Sequence, residues 1–326
     1  MSHDIKVERA DAGARRVIVS ANPHSGAYDR RPLIDELVKR LEAKKFEVEQ
    51  LGEIDQVCKT ANRWLEEGTL RAVIAAGGDG TAALLANRLP ATVPLVIFPL
   101  GTANLLAKYL TLDRDVEQIA NTIEQGQIVH LDAGTANGHF FLVVTGCGFD
   151  AEVVRRLHHS RKGHISYFTY LAPIFRSLGR YRYPALEITF DNGERWESVR
   201  WAFIQNIPRY AMNLSFAKEA NPFDGQLDLC TFRSGGFLST IYYFFCSLLG
   251  IQNRIRSARF ARFKSMTIRS EGAVHYEVDG DPGGKLPLTI EVVPDRLRVM
   301  VPPGWIEEQQ RKMDVTADEN SKTFET

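Results

Sequence analysis

The stretch "VIAAGGDGTAALLANRLP", Val73 to Pro90, decides the fold. β-prone and small residues lead into Gly77-Gly78-Asp79-Gly80-Thr81, and an apolar stretch of helical character follows. Glycines where a strand becomes a helix have two uses. They permit a tight turn with positive φ. They also leave backbone N–H groups bare, pointing with the helix N-terminus at an anion. Such a turn alone is structural about as often as functional. Asp79 tips the balance, because an acid beside a phosphate-binding helix end is useful when a divalent cation lies between them.

The flanking sequence repeats the strand-to-helix pattern. "RRVIVSANPHSG" (15–26) reads as a strand ending in a Pro/Gly turn. "DRRPLIDELVKRLEAKKF" (29–46) carries Leu33, Ile34, Leu37, Val38 and Leu41 on one helical stripe. "EVEQL" (47–51) is a short strand, "IDQVCKTANRWLEEG" (54–68) a helix stopped by Gly68, and "LRAVIAAGG" (70–78) a buried strand. "VPLVIFPLG" (93–101) and "TANLLAKYL" (102–110) are a further strand and helix. This alternation predicts an α/β domain with a doubly wound parallel sheet. In such a sheet the turns at Asn22-Pro23-His24-Ser25-Gly26, Gly77–Thr81 and Pro99–Asn104 all fall at carboxyl ends of strands, where ligands bind. Three convergent polar turns exceed what punctuation requires.

After Leu131 the texture changes to short strands joined by turns, among them 138–149, 185–206, 225–232, 263–270, 274–282 and 286–302. Asp191-Asn192-Gly193 between two alternating runs is a hairpin signal. The second part is therefore mainly antiparallel and sandwich-like, broken by helical pieces near 166–178 and 237–252. The expected division is 15–132 for the nucleotide-binding α/β domain, with about 302–312 returning to it, and 133–301 for the β-rich domain. The polar tail 313–326 is expected to be disordered.

With 326 residues the chain holds two cores. No signal peptide is visible at the N-terminus, and four scattered cysteines without a C-x-x-C pair fit a reduced, cytoplasmic chain. The formal net charge is zero, yet Val153–Leu186 and Leu229–Ser270 each hold seven Lys/Arg and no acid. Two such stretches in one half predict a surface that meets anions: phosphates or an anionic membrane. No nucleic-acid partner is expected, and the oligomeric state stays open. Ser234–Asn253 is uncharged for twenty residues but diluted by Ser, Thr, Gly, Gln and Asn, which favours a buried or membrane-facing helix over a spanning one. Phe244, Phe245 and their neighbours are expected in a core rather than a lipid pocket.

N-P-x-S-G, G-G-D-G-T and P-L-G-T-A-N together resemble the catalytic domain of diacylglycerol kinases, shared by bacterial lipid kinases and by sphingosine and ceramide kinases. Further matches follow in order: Gly146-Cys147-Gly148-Phe149-Asp150-Ala151, then Ala220–Asp228 for its D-G-x-L-D segment, then Val278-Asp279-Gly280-Asp281 for V-D-G-E. The resemblance spans about residues 16–305. It implies an ATP- and Mg²⁺-dependent lipid kinase with its nucleotide site in an interdomain cleft, acting on diacylglycerol or a related lipid at an anionic membrane surface it binds reversibly. Nucleotide contacts are implied at Asn22, Pro23, Ser25, Gly26, Gly77, Gly78, Gly80, Thr81, Gly101, Thr102 and Asn104. Asp279 is implied as the general base for a lipid hydroxyl, with Asp79 orienting metal and triphosphate; the reverse assignment stays open. Asp224 resembles a structural-magnesium ligand, with Asp281 as a distal partner. Two departures stand out: Leu105 replaces the acid of G-T-x-N-D, and Asp281 replaces the usual Glu.

Gly146, Gly148 and Ala151 also fit the dinucleotide fingerprint, but the acid expected about 20 residues on is missing, so an NAD site there is rejected. His158, His159 and His164 lack metal spacing and read as a solvated basic face. NAD kinase, which also carries G-G-D-G-T, and a non-catalytic lipid-binding protein on the same fold are the alternatives.

Overall fold

A computed structural model describes residues 5–21, 30–160, 181–208 and 216–311. The expected helix near 166–178, the Asn22–Gly26 turn and the polar tail lie outside these residues. The described residues up to Leu131, with those from Asp295 onward, form one unit; those from Asp132 to Pro294 form the other.

In the first unit β1 (Val7–Arg9) is followed by β2 (Arg16–Ala21), α1 (Arg31–Ala43), β3 (Glu47–Leu51), α2 (Ile54–Glu66), β4 (Leu70–Gly77), α3 (Asp79–Arg88), β5 (Pro94–Pro99), α4 (Leu105–Tyr109), α5 (Val116–Gln125) and the start of β6 (Gln127–Ala136), whose later residues pair with β7 (His139–Phe141) in the second unit. The parallel order is β3-β2-β4-β5. Every residue of β4 and β5 is buried, so both sheet faces are covered, as a doubly wound sheet requires. Ile34, Leu37 and Leu41 of α1 are buried, while Leu33 and Val38 sit at the stripe's margin. Burying a leucine contributes about 1.5–3 kcal/mol. The reading above passes over α5, though its signals are present: the Asp115 carboxylate caps the N–H groups of Glu117 and Gln118, and Gly126 ends the helix at φ +61°.

The second unit is a sandwich. One sheet runs β13 (Ala258–Phe263), β12 (Leu227–Phe232), β11 (Trp201–Gln205), β8 (Val144–Cys147), β15 (His275–Val278) and β16 (Asp281–Lys285), all antiparallel. The other runs β10 (Arg195–Val199), β9 (Leu186–Phe190), β14 (Ser265–Arg269) and the first half of β17 (Leu288–Met300). Between them lie Ile188, Phe190, Trp196, Ile204, Leu229 and Ile290 among others. A second apolar cluster packs α6 (Phe149–Ser160) and α7 (Phe237–Leu248) on the other face of the six-stranded sheet.

Three features depart from the sequence reading. The run 194–206 is two strands: Ser198 takes φ +61°, and the chain passes from β10 in one sheet to β11 in the other. The last run is one strand with two roles. Its first half pairs antiparallel with β14, and Arg298–Val299 pair parallel with β5. In α7, Tyr243 and Cys246 enter the core but Phe245 is exposed, which corrects the expectation of a core position.

Candidate functional site

The first two described turns meet backbone to backbone. Gly77 O accepts the N–H groups of Leu100 (2.8 Å) and Gly101 (3.0 Å). A Cβ on Gly101 would lie 2.4 Å from Gly78 Cα, and a Cβ on Gly77 would lie 2.2 Å from Thr81 Oγ1. Side chains are excluded there by contact, not only by turn geometry.

Asp79 joins the two turns. Its Oδ2 accepts the N–H of Leu105 at 2.9 Å and its Oδ1 that of Leu106 at 3.0 Å, capping α4 from another element. Asn104, buried and left-handed at φ +50°, donates through Nδ2 to Gly101 O (2.9 Å) and Pro99 O (3.3 Å). Thr81 is half-buried and Thr102 exposed. The N-terminus of α3 has no side-chain cap. The N–H groups of Asp79 and Gly80 meet no acceptor among the described residues.

Two residues that motif reading missed shape this site. Arg114 donates to Pro99 O (2.9 Å) and Gly101 O (2.7 Å), holding the second turn. Arg30 has a buried Nη1 without a hydrogen-bond partner; burial, then the Arg114 charge, lower its guanidinium from the usual value. Neither belongs to a glycine motif, and an arginine in a loop carries no sequence signal of its role.

In the second unit Asp279 occupies the β15–β16 turn at φ +48°, followed by Gly280 at +84°. Its Oδ2 accepts the N–H of Leu142 (2.8 Å), and its Oδ1 those of Val143 (2.9 Å) and Val144 (3.0 Å). Below it Glu277 is fully buried: Oε2 accepts Gly280 N–H at 2.7 Å and Oε1 has no partner. Burial foremost, then the Asp150 charge, hold its carboxyl well above the usual range, and the charges of Asp279 and Asp281 act in the same direction. Gly146 lies against Glu277 Oε1 and Asp150 Oδ2. Exposed Asp281 stands 3.8 Å from His158 Nδ1. β8, which leads into this G-x-G segment, is antiparallel to both neighbours, so the βαβ context of a dinucleotide fingerprint is absent.

Asp224 belongs to a different group. Its Oδ1 accepts Gln226 N–H (3.0 Å), while buried Asp132 accepts the N–H of Gly225 through Oδ2 (2.7 Å). Asp228 is buried with Oδ2 unpartnered. Burial pushes its carboxyl up to about 6 against the opposing charge of Arg262, and Asp224 adds to the rise. Among the described residues no three His, Cys, Asp or Glu side chains converge as a complete metal cage. The orphaned Asp228 oxygen beside the Asp224 charge is compatible with a cation held by one or two carboxylates and completed by other oxygen ligands.

Residues 16–136 match the diacylglycerol kinase catalytic domain, and residues 143–301 match the YegS C-terminal NAD kinase beta sandwich-like domain. A diacylglycerol kinase of Staphylococcus saprophyticus is 24% identical over 295 residues, covering 88% of this chain and 96% of that protein. One of Staphylococcus epidermidis is 23% identical over 313 residues, covering 93% and 98%. A crystal structure of a diacylglycerol kinase from Bacillus anthracis superposes with a TM-score of 0.69 at 22% identity, covering 89% of this chain and 98% of that one.

Proposed function

The chain belongs to the diacylglycerol kinase catalytic-domain family and is a lipid kinase, and from that premise we propose that it transfers the γ-phosphate of ATP, with Mg²⁺, to a hydroxyl of diacylglycerol or a related lipid at an anionic membrane surface. The observation that carries the nucleotide part is the uncapped N-terminus of α3. The free N–H groups of Asp79 and Gly80 stand beside a second glycine turn that touches the first. A triphosphate supplies the acceptors such an end lacks.

Phosphoryl transfer passes through a loose transition state, so positioning and charge neutralisation dominate. Gly77, Gly78, Gly80 and Gly101 let the phosphates approach the backbone. Thr81, Thr102 and Asn104 add polar side chains, and the family resemblance adds Asn22, Pro23, Ser25 and Gly26. Arg30 and Arg114 place positive charge near the second turn. Asp79 and the threonine hydroxyls would hold Mg²⁺, which supplies neutralisation of charge on the phosphate oxygens. Leu105, standing where the resembled motif G-T-x-N-D carries an acid, leaves Asp79 as the acid of these two turns.

Asp279 is the residue proposed to meet the acceptor hydroxyl. Three backbone N–H groups fix its carboxylate through both oxygens, which orients it for the hydroxyl proton. In a loose transition state that proton leaves late, so an oriented carboxylate suffices. Asp224 with Asp228 would hold a second, structural Mg²⁺; Asp281 adds charge near the Asp279 turn.

The experiment is turnover of ATP with diacylglycerol, a sphingoid base, ceramide and NAD as separate acceptors. Transfer to a lipid supports this reading. Transfer to NAD alone, or ATP hydrolysis without a phosphorylated lipid, overturns it.

A further inference from the structure

We infer that the outer face of α7, resting on the lipid-kinase reading above, is the membrane-docking surface, lying flat in the lipid interface. The helix is apolar on both sides. Tyr243 and Cys246 pack into the core with Phe232, Trp201 and Ile255, and Tyr243 stacks on Phe232 at 4.2 Å between ring centroids. The opposite stripe, Leu238, Tyr242, Phe245 and Leu249, recurs at i, i+4, i+7 and i+11 and faces outward, with Leu238 80% and Leu249 70% exposed. Phe237 and Leu248 widen it. A helix apolar all round is ordinarily buried on all sides, and a contiguous exposed patch of large side chains marks an interaction surface. No helix among the described residues is long and apolar enough to cross a membrane. Twelve residues rise about 18 Å against a hydrocarbon core of about 30 Å, so α7 lies in the interface and does not span it.

Charge selects lipid over a second copy of the chain. Arg233 precedes α7, and Arg254 and Arg256 follow it; all three are exposed and have no carboxylate partner among the described residues. Lys218 donates to Gly250 O at 2.7 Å, placing another cation at the helix's C-terminal end. A two-fold self-contact sets the same patch against itself, confronting these cations with one another in a stretch without acids. Anionic headgroups resolve both the apolar and the cationic demand. The charge run overstates the attraction, however. Arg259 lies 4.0 Å over the Trp196 ring and near Glu194, and Arg262 is within 3.3 Å of both Asp228 and Glu219. Insertion of the apolar stripe therefore carries the docking, and Arg254 and Arg256 supply its salt-sensitive part.

The test is flotation with phosphatidylcholine vesicles and with phosphatidylcholine–phosphatidylglycerol vesicles at low and high salt. Three proteins are compared: wild type, a Leu238→Ser/Phe245→Ser/Leu249→Ser variant, and an Arg254→Gln/Arg256→Gln variant. All five positions are exposed, and unchanged circular dichroism checks the fold. The serine variant is expected to lose at least tenfold in partition to both vesicle types. The glutamine variant is expected to lose only the low-salt preference for anionic vesicles. Wild-type partition by the serine variant overturns the proposal, as does a wild-type dimer that the serine changes dissociate without altering vesicle binding. Phosphotransfer to water-soluble short-chain diacylglycerol, sphingoid base and ceramide, measured without vesicles, separates the two readings. If wild type shows none with all three while α7-dependent flotation persists, the kinase reading fails and the docking face stands.

Discussion

Asp79 Oδ2 accepts the backbone N–H of Leu105 across 26 residues of sequence, at 2.9 Å, and the same carboxylate takes Leu106 N–H through its other oxygen. The acid of the first glycine motif is thus the cap of the helix that the second motif opens. The backbone proposed to meet the phosphates in both turns thus depends on one side chain.

Asp79→Ala removes two charge-assisted hydrogen bonds and is expected to destabilise the protein by about 2 kcal/mol. Asp79→Asn keeps one acceptor oxygen and the fold, but loses the charge, with a turnover loss of roughly 10²-fold or more. Thermal melts with ATP turnover check both. Wild-type turnover by a folded Asp79→Asn protein removes Asp79 from the machinery.

Gly101→Ala puts a methyl 2.4 Å from Gly78 Cα, where backbone must move. The expected cost is about 1–3 kcal/mol in stability, with weaker nucleotide binding by calorimetry. An unchanged melting temperature with unchanged ATP affinity contradicts the close approach of the two turns.

Asp228 sets a pH dependence. Its carboxyl rises from 3.8 in the unfolded reference to about 6 in the folded chain. Below about pH 4 both states hold the proton and the contribution is fully present. As pH climbs toward 6 the unfolded state releases its proton first, so stability falls, by on the order of 2–3 kcal/mol. Asp228→Asn is expected to flatten this slope in urea titrations between pH 4 and 7. If Asp224 and Asp228 hold Mg²⁺, the ion raises the melting temperature at pH 7.5 and not at pH 5, and Asp224→Ala abolishes the response. Equal magnesium response in wild type and Asp224→Ala contradicts the structural site.

Glu277 acts in the same direction. Burial and the neighbouring acids raise its carboxyl well above the usual range, so its contribution is lost as pH rises from about 4.5 toward its raised folded value. Glu277→Gln, neutral at every pH, is expected to keep the Gly280 contact and remove that part of the decline. A Glu277→Gln protein that retains the wild-type slope contradicts the raised carboxyl.

The parallel sheet was legible because each strand and helix carries its own period, and the turn motifs stand where strands end. What the turns do for one another was not. Gly77 and Gly101 look like conformational glycines, yet contact with Thr81 and Gly78 requires them, and contact between distant segments leaves no local mark. The exchange of sheets at Ser198 and the split role of β17 hide within ordinary alternating runs for the same reason. Phe245 was misplaced because α7 is apolar on both faces, so periodicity cannot say which face packs. Arg30 and Arg114 act through position alone.

The central claim is phosphate transfer to a lipid hydroxyl with Asp279 at the acceptor. It is tested most directly by incubating the protein with γ-labelled ATP, Mg²⁺ and a mixed lipid extract and identifying the labelled product by mass. The account predicts label on a lipid hydroxyl with wild type. With Asp279→Asn, turnover falls far more than ATP affinity measured by calorimetry. Label confined to ATP and inorganic phosphate contradicts the lipid-kinase account. Collapse of ATP affinity in the Asp279→Asn protein contradicts the placing of Asp279 at the acceptor.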